Sequence, residues 1–336
     1  MRAVVWDGSN GIEGLRIEQR PEPELVSGHV LVSMRAASLN YRDLMILNGQ
    51  YRVRVQHGFV PLSDGAGEVV GVADDVVGFQ IGDRVMSLFY PRWQAGRVNR
   101  EVISDQPGGT RDGMLAELVL FPASGLLKVP SSLSYEEAAT FPCAGVTAWA
   151  SLQGHVPVKP GDTVLTLGSG GVSLFAFQFA KLAGATVIMT TSRDEKAERL
   201  RDLGVDHVIN YCSDPQWHKT VRTMFPSGVD HVIENGGIGS LSQSVQATSI
   251  GGVVNLLGVL TDPESFQPAS MAWAFCDIRK ITVGNTADAQ GMLRAVGTHT
   301  VCPIIDSVFP FERSSEAFAY LSSQSHIGKV VISIQS

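Results

Sequence analysis

The sequence has few cysteines, no excess of positive charge and no long apolar run, and each absence excludes a class of protein. Its four cysteines are scattered and form no C-x-x-C pair, so a chain of this size is not a disulfide scaffold. The net charge of −7 argues against nucleic-acid binding, which usually requires a basic excess. No stretch approaches the ~18 apolar residues of a membrane span, and the N-terminus lacks a signal-peptide core. We therefore expect a cytoplasmic protein with neither membrane nor nucleic acid as partner.

What the sequence does contain is typical of a globular chain with two domains. Its 336 residues predict about two domains at roughly 150 residues each. Hydrophobic residues make up 44% and charged residues 18%, an ordinary balance for a chain that buries a core. The 35 glycines exceed the average share, which indicates many tight turns and places where the backbone approaches a ligand.

The rhythm of the apolar runs changes near residue 163. Before this point, short β-rich runs separated by Gly, Pro and Asp indicate a compact antiparallel unit. After it, nearly continuous apolar runs alternate with helical stretches, as expected for a parallel sheet buried on both faces. This alternation predicts an α/β, doubly wound dinucleotide-binding fold. Its predicted strands are Val164–Leu167, Thr186–Thr191, His207–Asn210, His231–Asn235, Gly252–Gly258 and Lys280–Thr286.

The first of these strands runs directly into a glycine-rich turn and then a helix. Glycines there let the backbone turn sharply and approach a pyrophosphate, whose charge lies against the helix N-terminus. Compared with G-x-G-x-x-G, the third glycine position is Ser173, so the match is imperfect. The motif nevertheless stands between strand and helix, the context that it requires. We predict that the nucleotide is bound by Gly168, Ser169, Gly170, Gly171 and Val172.

The end of the second strand indicates which nucleotide binds. NAD sites usually place Asp or Glu there to bond the ribose 2′-hydroxyl, whereas an Arg nearby suits the 2′-phosphate of NADP. Here Ser192, Arg193 and Lys196 stand where a carboxylate would be expected. A guanidinium binds phosphate in two directions, and an ammonium adds a point charge. We therefore predict NADPH as the cofactor; the alternative is that Arg193 and Lys196 are solvated residues at a helix start.

Several segments, in order along nearly the whole chain, resemble the medium-chain dehydrogenase/reductases. Within that superfamily the chain is most similar to the zinc-free quinone oxidoreductase branch. The resemblance implies a GroES-like β-rich catalytic domain of residues 1–125 and 287–336, with a Rossmann cofactor-binding domain of residues 126–286 inserted. It also implies a homodimer through the Lys280–Thr286 strand. The segments are "LNYRDL" at Leu39–Leu44, "PLSDGAGEVVGV" at Pro61–Val72, "GDRV" at Gly82–Val85, "CAGVTAWASL" at Cys143–Leu152 and the cofactor segment from Thr166 to Lys196.

The resemblance also implies roles for individual residues. Asn40 and Tyr41 fall beside the nicotinamide as hydrogen-bond donors; Tyr41 is our candidate proton donor, unless it only packs against the cofactor. Lys196 and Tyr211 match positions that hold the 2′-phosphate in NADPH-dependent quinone reductases, although Tyr211 would also suit an ordinary strand end. Lys329 stays open between a contact to the cofactor phosphates and an exposed strand residue. Further cofactor contacts are implied for Thr147, Leu257, Gly258, Val283 and Asn285.

The resemblance further predicts that catalytic zinc is absent. Such zinc needs three protein ligands, typically Cys and His, with an open fourth position. The positions that match the ligands of zinc alcohol dehydrogenases hold Asn40, Ser63 and Cys143, and Asp64 replaces the family's glutamate. An amide and a hydroxyl bind zinc poorly, and Cys143 alone cannot hold the ion.

Without a Lewis acid, alcohol oxidation becomes difficult, but hydride delivery to an electron-poor carbon stays feasible. The β-carbon of an enone or enal qualifies, and so does a quinone ring, because the charge that develops on oxygen then needs only hydrogen-bond donors. We predict an NADPH-dependent oxidoreductase whose small-molecule substrate is a quinone or an activated C=C compound. An alcohol or aldehyde dehydrogenase and a non-catalytic NADPH-binding protein stay open as alternatives.

Overall fold

The computed structural model describes the whole chain except residues 10, 54, 155, 259–267, 300, 335 and 336. It divides into two compact units, the first formed by Met1–Val146 and Gly284–Ser336, the second by Thr147–Val283. Residues 126–146 thus group with the first unit, whereas the predicted boundary assigns them to the nucleotide domain. The reason is that the strand Leu126–Lys128 pairs antiparallel with Arg84–Ser87 of the first unit.

Strands and helices are numbered along the chain. The strands are β1 (Arg2–Trp6), β2 (Leu15–Gln19), β3 (His29–Ser38), β4 (Asp64–Val72), β5 (Arg84–Ser87), β6 (Leu118–Pro122), β7 (Leu126–Lys128), β8 (Thr163–Thr166), β9 (Thr186–Thr191), β10 (His207–Asn210), β11 (Val229–Glu234), β12 (Thr248–Leu256), β13 (Asp277–Lys280), β14 (Ile305–Pro310) and β15 (Lys329–Ser333). The α-helices are α1 (Tyr41–Leu47), α2 (Arg100–Ile103), α3 (Tyr135–Ala139), α4 (Val146–Leu152), α5 (Gly171–Leu182), α6 (Asp194–Asp202), α7 (Trp217–Met224), α8 (Ile238–Ala247), α9 (Thr286–Thr298) and α10 (Ser314–Ser322). Within the described residues, none of these helices combines the length and apolarity that a membrane crossing requires.

The first unit is built on a mixed β-sheet with the strand order β14-β15-β3-β4-β5-β7, in which β6 also pairs with β3. All of these pairs are antiparallel except β14 with β15. The apolar side chains of β3, such as Val32 and Met34, are buried in one core with Leu44 of α1 and Phe318 of α10. This GroES-like sheet brings the end of β3, the start of β4 and the start of β15 together, since β3 pairs with both neighbours there.

The second unit contains a six-stranded parallel sheet with the order β10-β9-β8-β11-β12-β13. Each residue of β8 is buried, as predicted for a strand covered by helices on both faces. One face of the sheet, including Leu165, Val232 and Val254, packs against Trp217 of α7 and Leu241 of α8. The order reverses between β8 and β11, which is the switch point of a doubly wound dinucleotide fold. The predicted α/β fold class is therefore confirmed.

The predicted strand Lys280–Thr286 is wrong. The sixth strand is β13, Asp277–Lys280, and its pairing with β12 ends with Lys280 opposite Leu256. Thr286 is already the first residue of α9, whose N-cap is Asn285. The apolar Ile281 and Val283 suggest a buried strand, but β13 is an edge strand and tolerates a polar sequence because its side chains are largely exposed.

Candidate active site

The glycine-rich turn has the geometry of a phosphate-binding loop. Gly168 follows β8 with a φ of +82°, a conformation that favours glycine, and its N–H donates to Thr190 Oγ1 at 3.2 Å. A Cβ placed at Gly168 or Gly170 meets nothing within 4 Å, so open space lies before the turn. Gly170 caps α5, whose first turn carries no acidic residue. The unpaired N–H groups of that turn therefore face open space and suit an anion such as a pyrophosphate.

Ser173, which stands where the dinucleotide pattern has its third glycine, is a bridging residue. Its hydroxyl donates to the Leu167 carbonyl oxygen at 2.8 Å and accepts from Asn235 Nδ2 at 2.8 Å. The side chain is buried in the first turn of α5. A serine fits here because its oxygen joins the ends of β8 and β11, so the imperfect match to the pattern has a structural reason.

The ends of β11 and β12 are also tied together at the switch point. The N–H groups of Leu257 and Gly258 both donate to the Glu234 carbonyl oxygen at 3.0 Å. Only glycine fits at position 258, because a Cβ there would lie 1.6 Å from Asn235 O. The Glu234 carboxylate is buried and accepts from Gly237 N and from the hydroxyls of Ser240 and Ser244. Burial raises the pKa of Glu234, and these hydrogen bonds oppose the rise.

The residues predicted to bind a 2′-phosphate lie at the ends of β9 and β10. Tyr211 N donates to Thr191 O at 2.9 Å, which brings Tyr211 beside Ser192 and Arg193. Arg193 is exposed, and Tyr211 is 41% exposed. Lys196 is only 9% exposed, so it is not the solvated lysine that one of the two interpretations proposed.

One carboxylate beside this group makes a hydrogen bond to β10. Asp194, the first residue of α6, accepts a hydrogen bond from Asn210 Nδ2 at 2.6 Å. Its side chain therefore faces β10. Its negative charge also stabilises the N-terminus of α6. Ser192, Arg193, Lys196 and Tyr211 thus place hydroxyl and cationic side chains at the ends of β9 and β10.

The remaining predicted cofactor contacts are distributed between the units. Thr147, in α4, is buried in the second unit. Val283, also in the second unit, has a φ of +57°, a strained conformation for a β-branched residue that often marks a functional segment. Asn285 belongs to the first unit, where its side chain accepts from Asp288 N at 2.9 Å and caps α9. The Asn285 N–H also donates to Asp288 Oδ2 at 2.9 Å, and its carbonyl oxygen accepts from Ala289 N at 3.0 Å, so both backbone groups of Asn285 are engaged in α9.

In the first unit, Lys329 is buried, with 4% of its surface exposed. Its ammonium nitrogen donates to the Leu39 carbonyl oxygen at 2.6 Å and to Asn40 Oδ1 at 2.7 Å. The interpretation of Lys329 as an exposed strand residue is therefore wrong. Burial lowers the pKa of the ammonium, and the charges of Asp64 and Asp43 and the Cys143 thiol oppose that fall.

The positions that match zinc ligands do not form a metal site. Ser63 Oγ donates to Asp64 Oδ1 at 2.6 Å, and Cys143 N donates to Asp64 Oδ2 at 2.9 Å, so both carboxylate oxygens are engaged. Burial and the Asp64 charge raise the pKa of the Cys143 thiol far above its usual range. The Asn40 amide oxygen is bonded to Lys329. In the described part of the chain, no three His, Cys, Asp or Glu side chains converge as metal ligands. This donor set does not fit zinc.

The two predicted catalytic residues begin helix α1. Asn40 is the N-cap, and its N–H donates to Asp43 Oδ2 at 2.8 Å. Its Nδ2 makes no hydrogen bond of regular geometry, although the amide lies close enough to Asp64 to lower the pKa of that carboxyl. Tyr41 is the first helical residue and is 39% exposed, so its side chain reaches the surface.

Asp43 and Arg42 form a buried pair behind Tyr41. Their side chains approach to 3.5 Å, and the guanidinium also donates to the carbonyl oxygens of Pro107 and Gly108. Burial raises the pKa of Asp43 to about 6, and the charge of Arg42 opposes the rise. Asp43 thus titrates near neutrality although it is hydrogen-bonded.

Leu62, which precedes Ser63, is a feature that the sequence analysis missed. It is buried with a φ of +73°, a conformation that costs a leucine roughly 1–2 kcal/mol. Two glycines enclose it, since a Cβ at Gly108 or Gly113 would lie 2.5 Å or 2.1 Å from its carbonyl atoms. The concentration of glycines between residues 108 and 113 was the available signal.

Comparisons in sequence match both units. The model described as the alcohol dehydrogenase GroES-like domain matches residues 26–131, and the model described as zinc-binding dehydrogenase matches residues 171–298. A zinc-type alcohol dehydrogenase-like protein of Schizosaccharomyces pombe is 41% identical over 99% of both chains. An acryloyl-coenzyme A reductase of Metallosphaera sedula is 28% identical over 99% of both chains.

Solved structures also match nearly the whole chain. A quinone oxidoreductase from Coxiella burnetii matches with a TM-score of 0.82 at 25% identity, covering 100% of this chain and 99% of that one. A mycobacterial protein solved in complex with NADPH matches with a TM-score of 0.83 at 26% identity, covering 99% of this chain and 100% of that one.

Proposed function

Because the chain belongs to the medium-chain dehydrogenase/reductase superfamily, we propose that it is an NADPH-dependent reductase of quinones or activated C=C bonds that works without zinc. The observation that carries this proposal is the donor set at the metal position, an amide bonded to Lys329, a hydroxyl bonded to Asp64 and a single cysteine. With no metal to polarise an alcohol, the feasible substrates are those whose carbon is already electron-poor. The acryloyl-coenzyme A reductase relative is named for such a substrate.

We propose that the cofactor binds at the carboxyl ends of the parallel strands of the second unit. The turn from Gly168 to Val172 would hold the pyrophosphate, and Ser192, Arg193, Lys196 and Tyr211 would hold the 2′-phosphate. Once bound, the reduced nicotinamide supplies the hydride. The residues proposed to face the nicotinamide are Thr147, Leu257, Gly258, Val283 and Asn285.

Tyr41 is the proposed proton donor. Hydride addition to the β-carbon of an enone moves the π-electron pair onto the carbonyl oxygen, and a proton must then be supplied to complete reduction. A phenol hydroxyl can stabilise that oxygen by a hydrogen bond and donate its proton to the product. Tyr41 suits this task because it is 39% exposed, whereas the polar side chains of Arg42 and Asp43, which follow it in α1, are buried.

We also propose a homodimer, now through β13 rather than the predicted strand. β13 lies at the edge of the six-stranded sheet, and in the described residues its outer side pairs with no other strand. Ile278 on β13 and Phe275 just before it are exposed apolar residues. An open edge with exposed apolar side chains is suited to pairing with a second copy. Loss of the dimer in Ile278→Lys, measured by light scattering, would support this; an unchanged mass would oppose it.

The experiment that tests the proposed activity is NADPH oxidation against a panel of acceptors. The panel contains benzoquinones, enones, alkenals and acryloyl-coenzyme A, with alcohol oxidation by NADP⁺ measured in parallel, with and without zinc. We expect turnover of at least one electron-poor acceptor and none of the alcohols. Zinc-dependent alcohol oxidation would show that the protein is an alcohol or aldehyde dehydrogenase instead. NADPH binding without turnover of any acceptor would favour a non-catalytic NADPH-binding protein.

The Tyr41→Phe variant tests the proton-donor role. We expect kcat to fall about a hundredfold with NADPH affinity unchanged, because general acid catalysis contributes roughly 10²–10⁴-fold. Tyr135→Phe is the matched control, since its hydroxyl meets Glu68 at 3.4 Å in the same unit. Unchanged turnover at saturating NADPH in Tyr41→Phe would exclude the acid role.

A further inference from the structure

The buried ammonium of Lys329 contacts the two residues that precede Tyr41. It donates to Leu39 O at 2.6 Å and to Asn40 Oδ1 at 2.7 Å, across 290 and 289 positions of the sequence. A charged group removed from water is unfavourable unless it is paired and hydrogen-bonded. The position of Lys329 is therefore specified by these acceptors and by the charges around it.

Ionisable groups surround the ammonium from every packed element. The carboxylate of Asp64 at the start of β4, the carboxylate of Asp43 on α1 and the thiol of Cys143 all raise its pKa. Arg42 is the second cation of the cluster, paired with Asp43 at 3.5 Å. When all four charged groups are ionised, two cations offset two carboxylates, so the loss of Lys329 would leave a buried negative charge.

Strand β15 holds the Leu39–Tyr41 turn from the backbone side as well. Leu39 N donates to Val330 O at 3.0 Å, next to the residue whose ammonium holds Leu39 O. Asn40 is restrained at both its N–H, by Asp43, and its amide oxygen, by Lys329. These bonds fix the direction in which the chain enters α1 and hence the direction in which Tyr41 projects.

We propose that Lys329 is a positioning residue whose ammonium replaces a metal ion in ordering the active-site turn. Asn40 occupies a position that matches a metal ligand, and here it is bonded to an organic cation instead. The ammonium fixes the turn that presents Tyr41 and balances Asp64 and Asp43. This inference rests on the proposed function, in which Tyr41 donates the proton.

The test compares Lys329→Met, which keeps the length and removes the charge, with Lys128→Met as the matched control. Lys128 is exposed in the same unit and pairs with Asp83 at 2.8 Å. For each full-length variant we would measure the NADPH dissociation constant, kcat and KM for the acceptor, and hydrogen exchange over residues 38–47. In Lys329→Met we expect kcat to fall about tenfold or more, because a displaced catalytic group loses its orientation. NADPH affinity should stay within about twofold of the wild-type value, since the lysine is proposed to act through Asn40.

Two further readouts distinguish positioning from a general loss of stability. A loss confined to kcat, with the NADPH dissociation constant unchanged, marks a positioning role, because a general loss of stability would affect both. Exchange at residues 39–44 should become faster in Lys329→Met while it stays unchanged in Lys128→Met. Lys329→Arg, which retains the charge and can donate to Asn40 Oδ1, should restore part of the lost kcat.

A double-mutant cycle keeps the proposal falsifiable should one variant fold poorly. Asn40→Ala removes the amide acceptor, and if both residues act through one contact, the double variant should lose little more than either single variant. Weakened NADPH binding with unchanged kcat would instead make Lys329 a cofactor contact. Unchanged exchange at residues 39–44 would overturn the positioning role. If the wild-type protein reduces no acceptor, the proposed function fails, whereas the exchange and binding measurements still decide the role of Lys329.

Discussion

The Ser173 hydroxyl donates a 2.8 Å hydrogen bond to the Leu167 carbonyl oxygen, joining the residue that follows β8 to the first turn of α5. Because Asn235 Nδ2 donates to the same hydroxyl, one side chain links both strands of the switch point to the helix that faces the open turn. The geometry of the phosphate-binding loop thus depends on a residue that the dinucleotide pattern would have as glycine.

Ser173→Ala should destabilise the protein and weaken NADPH binding together. The change removes the hydroxyl that bridges the Leu167 carbonyl oxygen and Asn235 Nδ2; because Asn235 Nδ2 also donates to Leu167 O directly at 3.3 Å, we expect a loss of about 1 kcal/mol. Thermal unfolding and NADPH titration measure the two effects. Ser213→Ala is the control, because its hydroxyl donates to Asn210 O at 3.1 Å on the exposed surface. A Ser173→Ala protein with wild-type stability and affinity would contradict the bridging role.

Gly170→Ala should weaken NADPH binding without unfolding the protein. Its φ of −82° is allowed to alanine, and a Cβ there meets no protein atom within 4 Å, so the methyl group would occupy ligand space. We expect the dissociation constant to rise at least about tenfold, since backbone approach to the pyrophosphate is what the glycine permits. Gly297→Ala, where the nearest atom is 3.7 Å away, is the control. Wild-type affinity in Gly170→Ala would show that no phosphate approaches this turn.

Arg193→Gln should change which nucleotide the protein prefers. A lost charge-assisted bond to the 2′-phosphate costs about 1.5–3 kcal/mol, so NADPH affinity should fall roughly 10–100-fold while NADH affinity stays the same. Fluorescence titration with both nucleotides measures this. Arg201→Gln, exposed on the same helix, supplies the control. Equal losses for NADPH and NADH would mean that Arg193 does not contact a 2′-phosphate.

The elevated pKa of Asp43 makes its contribution to stability depend on pH. Because the folded pKa of about 6 exceeds the usual value, folding favours the protonated form. The stabilisation that protonated Asp43 contributes is complete at a pH below the pKa that Asp43 has in the unfolded chain. It is lost as the pH rises through 6. Relative to Asp43→Asn, the wild-type protein should therefore gain about 1 kcal/mol of unfolding free energy between pH 7 and pH 5. Denaturant unfolding of both proteins at several pH values checks this; a constant difference would contradict it.

The sequence predicted the nucleotide domain well because its signals are local. The strands of a parallel sheet covered on both faces are nearly continuous apolar runs, and β8, β9 and β10 are found almost where those runs lie. β13 was misplaced by several residues because an edge strand needs no such run, and the apolar residues that follow it lie in the loop before α9. Local pattern thus locates central strands better than edge strands.

The cluster around Lys329 could not be predicted from local pattern. Lys329 opens a strand, where a lysine usually projects into solvent, and its acceptors lie near the other end of the chain. The resemblance did identify Asn40, Ser63 and Cys143 as unsuited to zinc, yet nothing in their spacing indicated that an ammonium would be buried beside them. Long-range pairing of β15 with β3 is what creates this contact.

The most direct test of the central claim is the zinc content and turnover of one preparation before and after chelation. We predict far less than one zinc per chain and a rate of enone or quinone reduction that neither the chelator nor added zinc changes. A stoichiometric zinc ion whose removal abolishes turnover, and whose return restores it, would contradict the account.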